Sequence, residues 1–231
     1  MFLLWAHLPI LIIVGPHGGG KGYCAEFFKK TFHYNTISAG DLLRHEVNAQ
    51  TPLGKEIAPL IAQGQPVNPD IMKALLEKEI DAKVALKKPF IIDGFGGQHP
   101  DDMAFLKKAL EKRQLLSKAH ALFLEVSDEV CASRMRGRLI CPQCDRIYNK
   151  STCPPRAENE CDDCRITLVQ RPQDREEQIQ NRLRRYRQVM EQNYAHAKRF
   201  FPFTRVSTEP GENVTFFYKR LHESLAENIE D

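Results

Sequence analysis

The sequence predicts an α/β protein in which a parallel five-stranded sheet is flanked by helices. The first observation is an apolar strand, residues 10–14, that runs directly into a glycine-rich loop. The second is the alternation of short apolar runs with segments whose apolar residues have helical spacing. The third is an insert with two C-x-x-C pairs, set apart from this alternation. A chain of 231 residues is long enough for one such domain with inserts.

Five apolar runs are predicted to form the strands of the sheet. They are residues 10–14, 35–37, 89–93, 121–126 and 201–206. Because segments with helical spacing separate them, we expect the strands to be parallel and the helices to cover both faces.

The helices in the first half of the chain are predicted mainly from their caps. The first follows the glycine-rich loop and covers residues 21–31. Ser38 is the N-cap of the second, with Asp41 three residues later as a weak capping box. The third starts at residues 51–52, and the turn at residues 64–70 opens the fourth.

In the second half, Ser127 is predicted to cap a helix that runs through Arg136. After the insert, Pro172 starts a helix whose first turn carries three acidic residues, Asp174, Glu176 and Glu177. The inner face of a closing helix is predicted from four apolar residues, Val214, Phe217, Leu221 and Leu225.

The loop from Gly15 to Lys21 satisfies the phosphate-binding pattern G-x-x-x-x-G-K. Glycines let successive backbone N–H groups turn inward onto phosphate oxygens. The following helix directs its positive N-terminal end at the same anion, and Lys21 adds a point charge for the outer phosphates. Gly22 follows the lysine, where most such loops have Ser or Thr. The strand, loop and helix together therefore predict a nucleotide phosphate site.

Four cysteines form two C-x-x-C pairs that are separated by sixteen residues, and they are Cys141, Cys144, Cys161 and Cys164. This spacing is typical of a structural zinc site, in which four thiolates close a tetrahedron and leave no position open for catalysis. Cys153 lies between the pairs and belongs to neither, so we leave it out of the ligand set. Cys24 and Cys131 fall in helical patterns and are predicted to be small buried residues.

Composition excludes several classes of function. The net charge of +3 gives no strong attraction to nucleic acid or to a membrane surface. The apolar residues 1–14 lack a basic region and a small-residue cleavage site, so we read them as the first strand with a short lead. No run reaches the roughly 18 apolar residues of a membrane span. We expect a cytoplasmic protein whose cysteines bind metal or remain thiols.

Nearly the whole chain resembles the adenylate kinase family, in its long-lid, zinc-bearing form. The matching motifs occur in order at residues 15–22, 37–44, 64–70, 90–95, 134–138 and 171–174, followed by Arg182. The resemblance implies a P-loop kinase fold whose core comprises residues 1–37, 68–136 and 175–231. It also implies a helical monophosphate-binding segment, residues 38–67, and a zinc lid, residues 137–174. The implied partners are ATP and a nucleoside monophosphate, with no nucleic acid and no membrane, and the implied state is a monomer.

The resemblance also assigns the functional residues. Catalysis is assigned to Lys21, Arg134, Arg171, Arg182 and Asp93. ATP binding is assigned to Gly18, Gly19, Gly20, Lys21, Gly22, Tyr23, Arg134, Arg138, Ile147 and Tyr148. Binding of the acceptor monophosphate is assigned to Ala39, Arg44, Gln65, Val67, Gly94, Asp101, Arg171 and Arg182. Asp93 ends a strand that faces the phosphate loop, so it can orient Mg²⁺ through its waters.

The acceptor site departs from the family pattern at three positions. Gly97 stands where the family has an arginine that grips the acceptor phosphate, Asp101 replaces a base-reading Gln, and Ala39 replaces Thr. We expect Gly97→Arg to restore the lost contact. Three arginines in the last long helical pattern match no motif and are assigned to the surface, namely Arg184, Arg185 and Arg187.

Three interpretations of these departures stay open at this point. The chain is a weakened adenylate kinase in which His99 or another base partly replaces the arginine, a kinase with another base preference, or a catalytically impaired ATP-binding protein. The second follows because Asp101 can accept two hydrogen bonds from guanine. A nucleic-acid module built on the zinc pairs is disfavoured by the acidic residues of the insert, Glu158, Glu160, Asp162 and Asp163.

Overall fold

The computed structural model describes residues 10–207. Seven strands lie in this range: β1 (Ile10–Val14), β2 (Asn35–Ser38), β3 (Phe90–Asp93), β4 (Ala119–Glu125), β5 (Arg138–Ile140), β6 (Ile147–Asn149) and β7 (Phe203–Ser207). Five of them form one sheet in the order β2-β3-β1-β4-β7. Every neighbouring pair in this sheet is parallel, which confirms the predicted fold class.

Seven α-helices accompany the strands: α1 (Lys21–Phe32), α2 (Ala39–Asn48), α3 (Pro52–Ala62), α4 (Pro69–Ala85), α5 (Asp102–Glu111), α6 (Asp128–Arg136) and α7 (Glu176–Phe200). The caps predicted at Ser38 and Ser127 are confirmed, and Thr51, at the predicted start of α3, caps that helix in the same way. The hydroxyls of Ser38, Thr51 and Ser127 accept hydrogen bonds from backbone amides in the first turns of α2, α3 and α6. Short 3₁₀ turns lie at Leu116–Lys118 and Pro172–Asp174.

Strand β1 is central, and all five of its residues are buried. Alternate side chains enter two different cores, because successive residues of a strand point to opposite faces. Ile10 and Ile12 pack in the core that also contains residues of α4 and α5, whereas Leu11 and Ile13 pack with residues of α1. Burial on both faces explains the unbroken apolar run. The strand therefore delivers the glycine-rich loop from a rigid support.

Several predicted boundaries are wrong. Strand β4 covers Ala119–Glu125 instead of residues 121–126. The helix expected at Pro172 begins at Glu176, and Asp174 lies instead in the preceding 3₁₀ turn with its side chain fully buried. The last strand starts at Phe203, because Pro202 has no N–H to donate and only its carbonyl joins the sheet, at Ala121. The closing helix predicted from Val214 onward lies outside the described residues.

The insert between α6 and α7 forms a small unit of its own. Strands β5 and β6 pair in antiparallel fashion, with Leu139 opposite Tyr148. A minor core contains Leu139, Tyr148, Leu168 and two of the paired cysteines, Cys141 and Cys161. So few apolar side chains cannot stabilise such a unit alone, and an added link is expected. Among residues 10–207, no helix is long and apolar enough to cross a membrane.

Candidate active site and metal centre

The glycine-rich loop follows β1 and adopts a conformation that requires glycine. Gly18 and Gly20 have φ values of +81° and +93°. A Cβ at Gly18 would lie 2.5 Å from the carbonyl oxygen of Cys131, so a side chain would also meet backbone of α6. Gly20 is the N-cap of α1 and supplies no side-chain acceptor for the first amides of the helix. These amides and the positive end of α1 suit an anion such as a phosphate.

Lys21 holds its ammonium group in the hollow of this loop. Its Nζ donates hydrogen bonds to the carbonyl oxygens of Gly15 and Pro16, both at 2.8 Å. Burial lowers the pKa of Lys21, and the nearby Asp93 carboxylate opposes that change. The loop therefore positions one cation beside the N-terminal end of α1.

Asp93 ends β3 on the same edge of the sheet, paired in register with Ile13 of β1. Burial raises the pKa of Asp93 to about 6, although the charge of Lys21 opposes this rise. Its Oδ1 is buried and has no hydrogen-bond partner in the described part of the chain. An oxygen ligand of this kind beside a phosphate loop fits Mg²⁺ or one of its water ligands.

Asp174 joins two arginines from different elements. Its carboxylate accepts two hydrogen bonds from Arg138, Nε to Oδ2 at 2.7 Å and Nη2 to Oδ1 at 2.5 Å. Nη1 of Arg182 donates to Oδ1 of the same carboxylate at 3.2 Å. The side chain of Asp174 is fully buried, and the two arginine side chains are 15% and 12% exposed. One buried anion thus holds an arginine of the insert next to an arginine of α7.

His17 connects Arg182 to the phosphate loop. Nη2 of Arg182 lies 2.9 Å from Nδ1 of His17, and Nε2 of His17 lies 2.8 Å from the amide of Gln98. Burial and the charges of neighbouring cations, Arg182 first, lower the pKa of His17 well below its usual value. The ring is therefore neutral. Its Nδ1 accepts a hydrogen bond from Arg182, and its Nε2 lies against the side-chain nitrogen of Gln98.

Arg171 brings a further positive charge to the cluster from the end of the insert. Burial, and then the charges of Arg44 and Arg138, lower the pKa of Arg171 to about 9. Its Nε is buried without a hydrogen-bond partner among residues 10–207. Arg44 is paired with Asp41 on α2. Cations from α2 and the insert therefore lie near one another, which is unfavourable unless an anion lies between them.

Arg134 on α6 lies near the start of the phosphate loop helix. Its Nη1 would be 3.8 Å from a Cβ at Gly20. Tyr23, in the first turn of α1, lies near the thiol of Cys153, and burial followed by this thiol raises the pKa of Tyr23. Helix α6 and the insert thus both approach the N-terminal end of α1.

The four paired cysteines meet at one point of the insert. The Sγ atoms of Cys141, Cys144, Cys161 and Cys164 all lie within 4.8 Å of one another. Those of Cys144 and Cys161 are 3.7 Å apart. Thiolates at about 2.3 Å from a tetrahedral zinc ion are about 3.8 Å apart, so this donor set fits such an ion. Cys153 lies outside the cluster, and all seven cysteines are free thiols. The four cysteines can therefore hold a metal ion.

Comparison with known proteins agrees with this geometry. The family model described as adenylate kinase matches residues 13–198. The chain belongs to the adenylate kinase family. It is accordingly an enzyme of the nucleoside monophosphate kinase class, an ATP-dependent phosphotransferase.

Curated adenylate kinases are similar to this chain over most of their length. The protein of Thermosipho melanesiensis is 36% identical over 186 residues, which cover 80% of this chain and 83% of that relative. That of Thermotoga neapolitana is 34% identical over 180 residues, 76% of this chain and 79% of the relative. That of Vanderwaltozyma polyspora is 36% identical over 181 residues, 78% of this chain and 80% of the relative.

The residues assigned to the acceptor nucleotide differ in their exposure to solvent. Ala39 and Val67 are buried, whereas Gln65 and Asp101 are exposed. Gly94 has a φ of +76° and would place a Cβ 3.9 Å from Cε of Lys21, so the turn after β3 passes close to the phosphate loop. Contact of these residues with an acceptor stays a prediction.

The space beside Gly97 is already filled. A Cβ at this position would lie 2.9 Å from Cδ2 and Cε2 of Tyr186, a buried residue of α7. The expectation that Gly97→Arg restores a phosphate contact is therefore wrong as a single exchange, because the ring of Tyr186 must first move. The next glycine along the turn, Gly96, has a φ of +100° and is equally closed to a side chain.

Two residues assigned to ATP lie in β6 of the insert. The phenol of Tyr148 points into the minor core, where its oxygen lies 3.5 Å from Sγ of Cys161 and accepts a hydrogen bond from the amide of Asp162. The whole residue is 1% exposed. The assignment of Tyr148 to ATP binding stays a prediction. Ile147 is partly exposed and remains an ATP-binding prediction.

Four residues of the cluster lie outside the sequence prediction, namely His17, Gln98, Asp174 and Arg185. The signal for Asp174 was present, since an acidic residue three positions after Arg171 lies between two assigned arginines. His17 and Gln98 carry no such signal, because their contact joins two loops that are 81 positions apart. Arg187, also assigned to the surface, is half-buried and bonds to Asp128 and to the carbonyl of Val126.

Proposed function

We propose that this chain transfers the γ-phosphoryl group of ATP to AMP and so forms two molecules of ADP. The observation that supports this reaction best is the convergence of Lys21, Arg138, Arg171 and Arg182 at one end of the parallel sheet. Two polyanions repel each other, so a kinase for two nucleotides needs cations from several elements to bring them into line. Within residues 10–207, the enclosed carboxylate of Asp174 offsets part of this charge by pairing with Arg138 and Arg182.

The proposed roles follow from the positions of the side chains. The loop amides and Lys21 bind the β- and γ-phosphates of ATP, with Arg134 and Arg138 on the same side. Arg171 and Arg182 stabilise the negative charge of the transferred phosphoryl group, because they lie between the loop and the acceptor side. Asp93 orients Mg²⁺, which supplies neutralising charge on the phosphate oxygens when it is bound. Arg44 and the remaining acceptor residues hold AMP.

Exclusion of water is the second requirement, since water would otherwise accept the phosphoryl group. We propose that residues 137–174 close over ATP as a lid and that residues 38–67 close over AMP. The rest of the chain, residues 1–37, 68–136 and 175–231, forms the core that carries both. Support comes from the cations that these segments contribute, Arg138, Arg171 and Arg44. In this proposal the enzyme works as a cytoplasmic monomer.

The metal ion in the lid is proposed to be zinc, in a structural role. Four thiolates are the set that zinc favours in closed sites, and the small core around Tyr148 has little apolar surface to stabilise the lid. The ion then contributes to folding of the lid and not to the chemical step.

Replacement of one ligand tests the metal centre. We expect Cys161→Ser to release the metal, because the remaining thiolates no longer close a tetrahedron. Wild-type protein should contain about one zinc ion per chain and the variant almost none, with faster proteolytic cleavage inside residues 137–174. Cys153→Ser is the matched control, since Cys153 lies in the same insert but outside the cluster. Equal metal content in wild type and Cys161→Ser, by elemental analysis, would contradict the assignment.

An acceptor panel tests the reaction. ADP release from ATP is measured with AMP, GMP, CMP and UMP, and AMP is expected to give the highest kcat/KM. A preference for GMP would instead support the altered-base interpretation that Asp101 raised, although its side chain is exposed. ATP binding without transfer to any of the four would support the impaired-kinase interpretation and contradict the proposed function.

A further inference from the structure

Arg185 lies on α7 one turn after Arg182 and is partly withdrawn from solvent. Burial lowers the pKa of its guanidinium, which is the direction expected when a charge is removed from water. Its neighbour Arg184 is exposed and makes one long hydrogen bond, to Asn181 at 3.5 Å. Placing a guanidinium inside a protein costs free energy unless an anion or several acceptors offset it.

The described chain provides little to offset the charge of Arg185. Its Nη2 donates to the carbonyl oxygen of Gly64, but no carboxylate lies within ion-pair distance in residues 10–207. Its Nε is buried and has no hydrogen-bond partner there. Arg171, in the proposed active site, is the one other arginine of this range with a buried, unpartnered Nε. By contrast, Arg187 on the same helix pairs with Asp128 at 2.7 Å.

The surroundings of Arg185 place it between the two nucleotide sides of the cleft. Gly64 begins the turn that leads into Gln65 and Val67, the proposed acceptor edge. The charge of Arg185 lowers the pKa of His17, in the phosphate loop, and also that of Arg182. The guanidinium of Arg185 therefore lies near both the acceptor edge and the phosphate loop.

Residues 94–98, in the turn after β3, carry no cationic side chain. Gly97 has no side chain, and the ring of Tyr186 fills the space that one would need. Tyr186 directly follows Arg185 on α7. The helix therefore fills the space beside Gly97 with the ring of Tyr186 and brings the positive charge of Arg185 to the acceptor edge. Arg44 and Arg171 are two further cations that lie near each other in the proposed site.

We propose that Arg185 binds the phosphate group of the acceptor nucleoside monophosphate. The inference rests on the proposed function for the identity of this ligand. The Gly64 carbonyl fixes the guanidinium through Nη2, and the remaining Nη hydrogens are then available to phosphate oxygens. A fork of donors of this kind suits a phosphate better than a single ammonium does.

The test compares Arg185→Gln and Arg185→Lys with wild type by calorimetric titration of AMP, adenosine and ATP. We expect Arg185→Gln to weaken AMP binding by about tenfold or more, because a charge-assisted bond to phosphate is lost. Arg185→Lys should fall between, since it keeps the charge but not the fork. Adenosine, which lacks the phosphate, and ATP should bind within about twofold of wild type. Arg184→Gln is the matched control and should change no affinity.

Two results would overturn the assignment. One is AMP affinity within twofold of wild type in every Arg185 variant that melts cooperatively. The other is weaker ATP binding with unchanged AMP binding, which would place Arg185 on the donor side. Titration also distinguishes failure of this inference from failure of the proposed function. If AMP binding depends on Arg185 but the wild-type protein shows no turnover, the proposed function is contradicted and the role of Arg185 is not.

Discussion

Lys21→Met is expected to lower kcat for phosphoryl transfer by about 10²–10³-fold. Lys21 is held in the hollow of the phosphate loop by the carbonyls of Gly15 and Pro16, and no other residue of that loop carries a positive charge. Met retains most of the aliphatic stem, so the variant removes the charge with little change in packing. The measurement is steady-state ADP formation at saturating ATP and AMP, together with the ATP-induced shift of Tm.

Lys30→Met is the control for this prediction, because Lys30 lies on the same helix and is paired with Glu26 in solvent. It should leave both quantities unchanged. Equal turnover and an equal ATP-induced shift of Tm in wild type and Lys21→Met would show that ATP is not bound at this loop.

Asp174→Asn is the second substitution for which we expect a large effect. The buried carboxylate pairs with both Arg138 and Arg182, so its loss leaves two cations close together without an anion. Removing one partner from a buried ion pair typically costs about 3–5 kcal/mol, and Asn keeps only one acceptor oxygen. We therefore expect a lower free energy of unfolding in urea. Turnover should fall by about 10²-fold, because Arg182 loses its position.

Asp163→Asn is the matched control in the same insert. Its carboxylate pairs with Arg146, and its side chain is 60% exposed, so little stability is at stake. If Asp174→Asn unfolds at the same urea concentration as Asp163→Asn and retains wild-type turnover, the Arg138–Asp174–Arg182 cluster has no part in positioning the catalytic arginines.

Features set by spacing along the chain were predictable. The phosphate loop is contiguous with β1, and the two C-x-x-C pairs converge in the structure as their spacing indicates. The caps at Ser38, Thr51 and Ser127 are equally local, since each hydroxyl bonds within its own helix start. In these cases the chemistry lies within a few residues, and distant contacts do not alter it.

Features that depend on contacts between distant segments were not predictable. Asp174 reads as a first-turn helix residue, but two arginines 36 and 8 positions away draw it into a buried 3₁₀ turn. Arg184 and Arg185 are equivalent in sequence, and only the position of Gly64 against α7 distinguishes the exposed arginine from the withdrawn one. The closed space at Gly97 likewise depends on Tyr186, which is far along the chain.

The most direct test of the central claim is the stoichiometry of the reaction, followed by ³¹P NMR with purified enzyme, Mg²⁺, ATP and AMP. The account predicts that two ADP molecules appear for each ATP consumed, that AMP falls in step with ATP, and that the mixture reaches the same equilibrium from ADP alone. Consumption of ATP with release of inorganic phosphate and unchanged AMP, or no reaction in either direction, would contradict it.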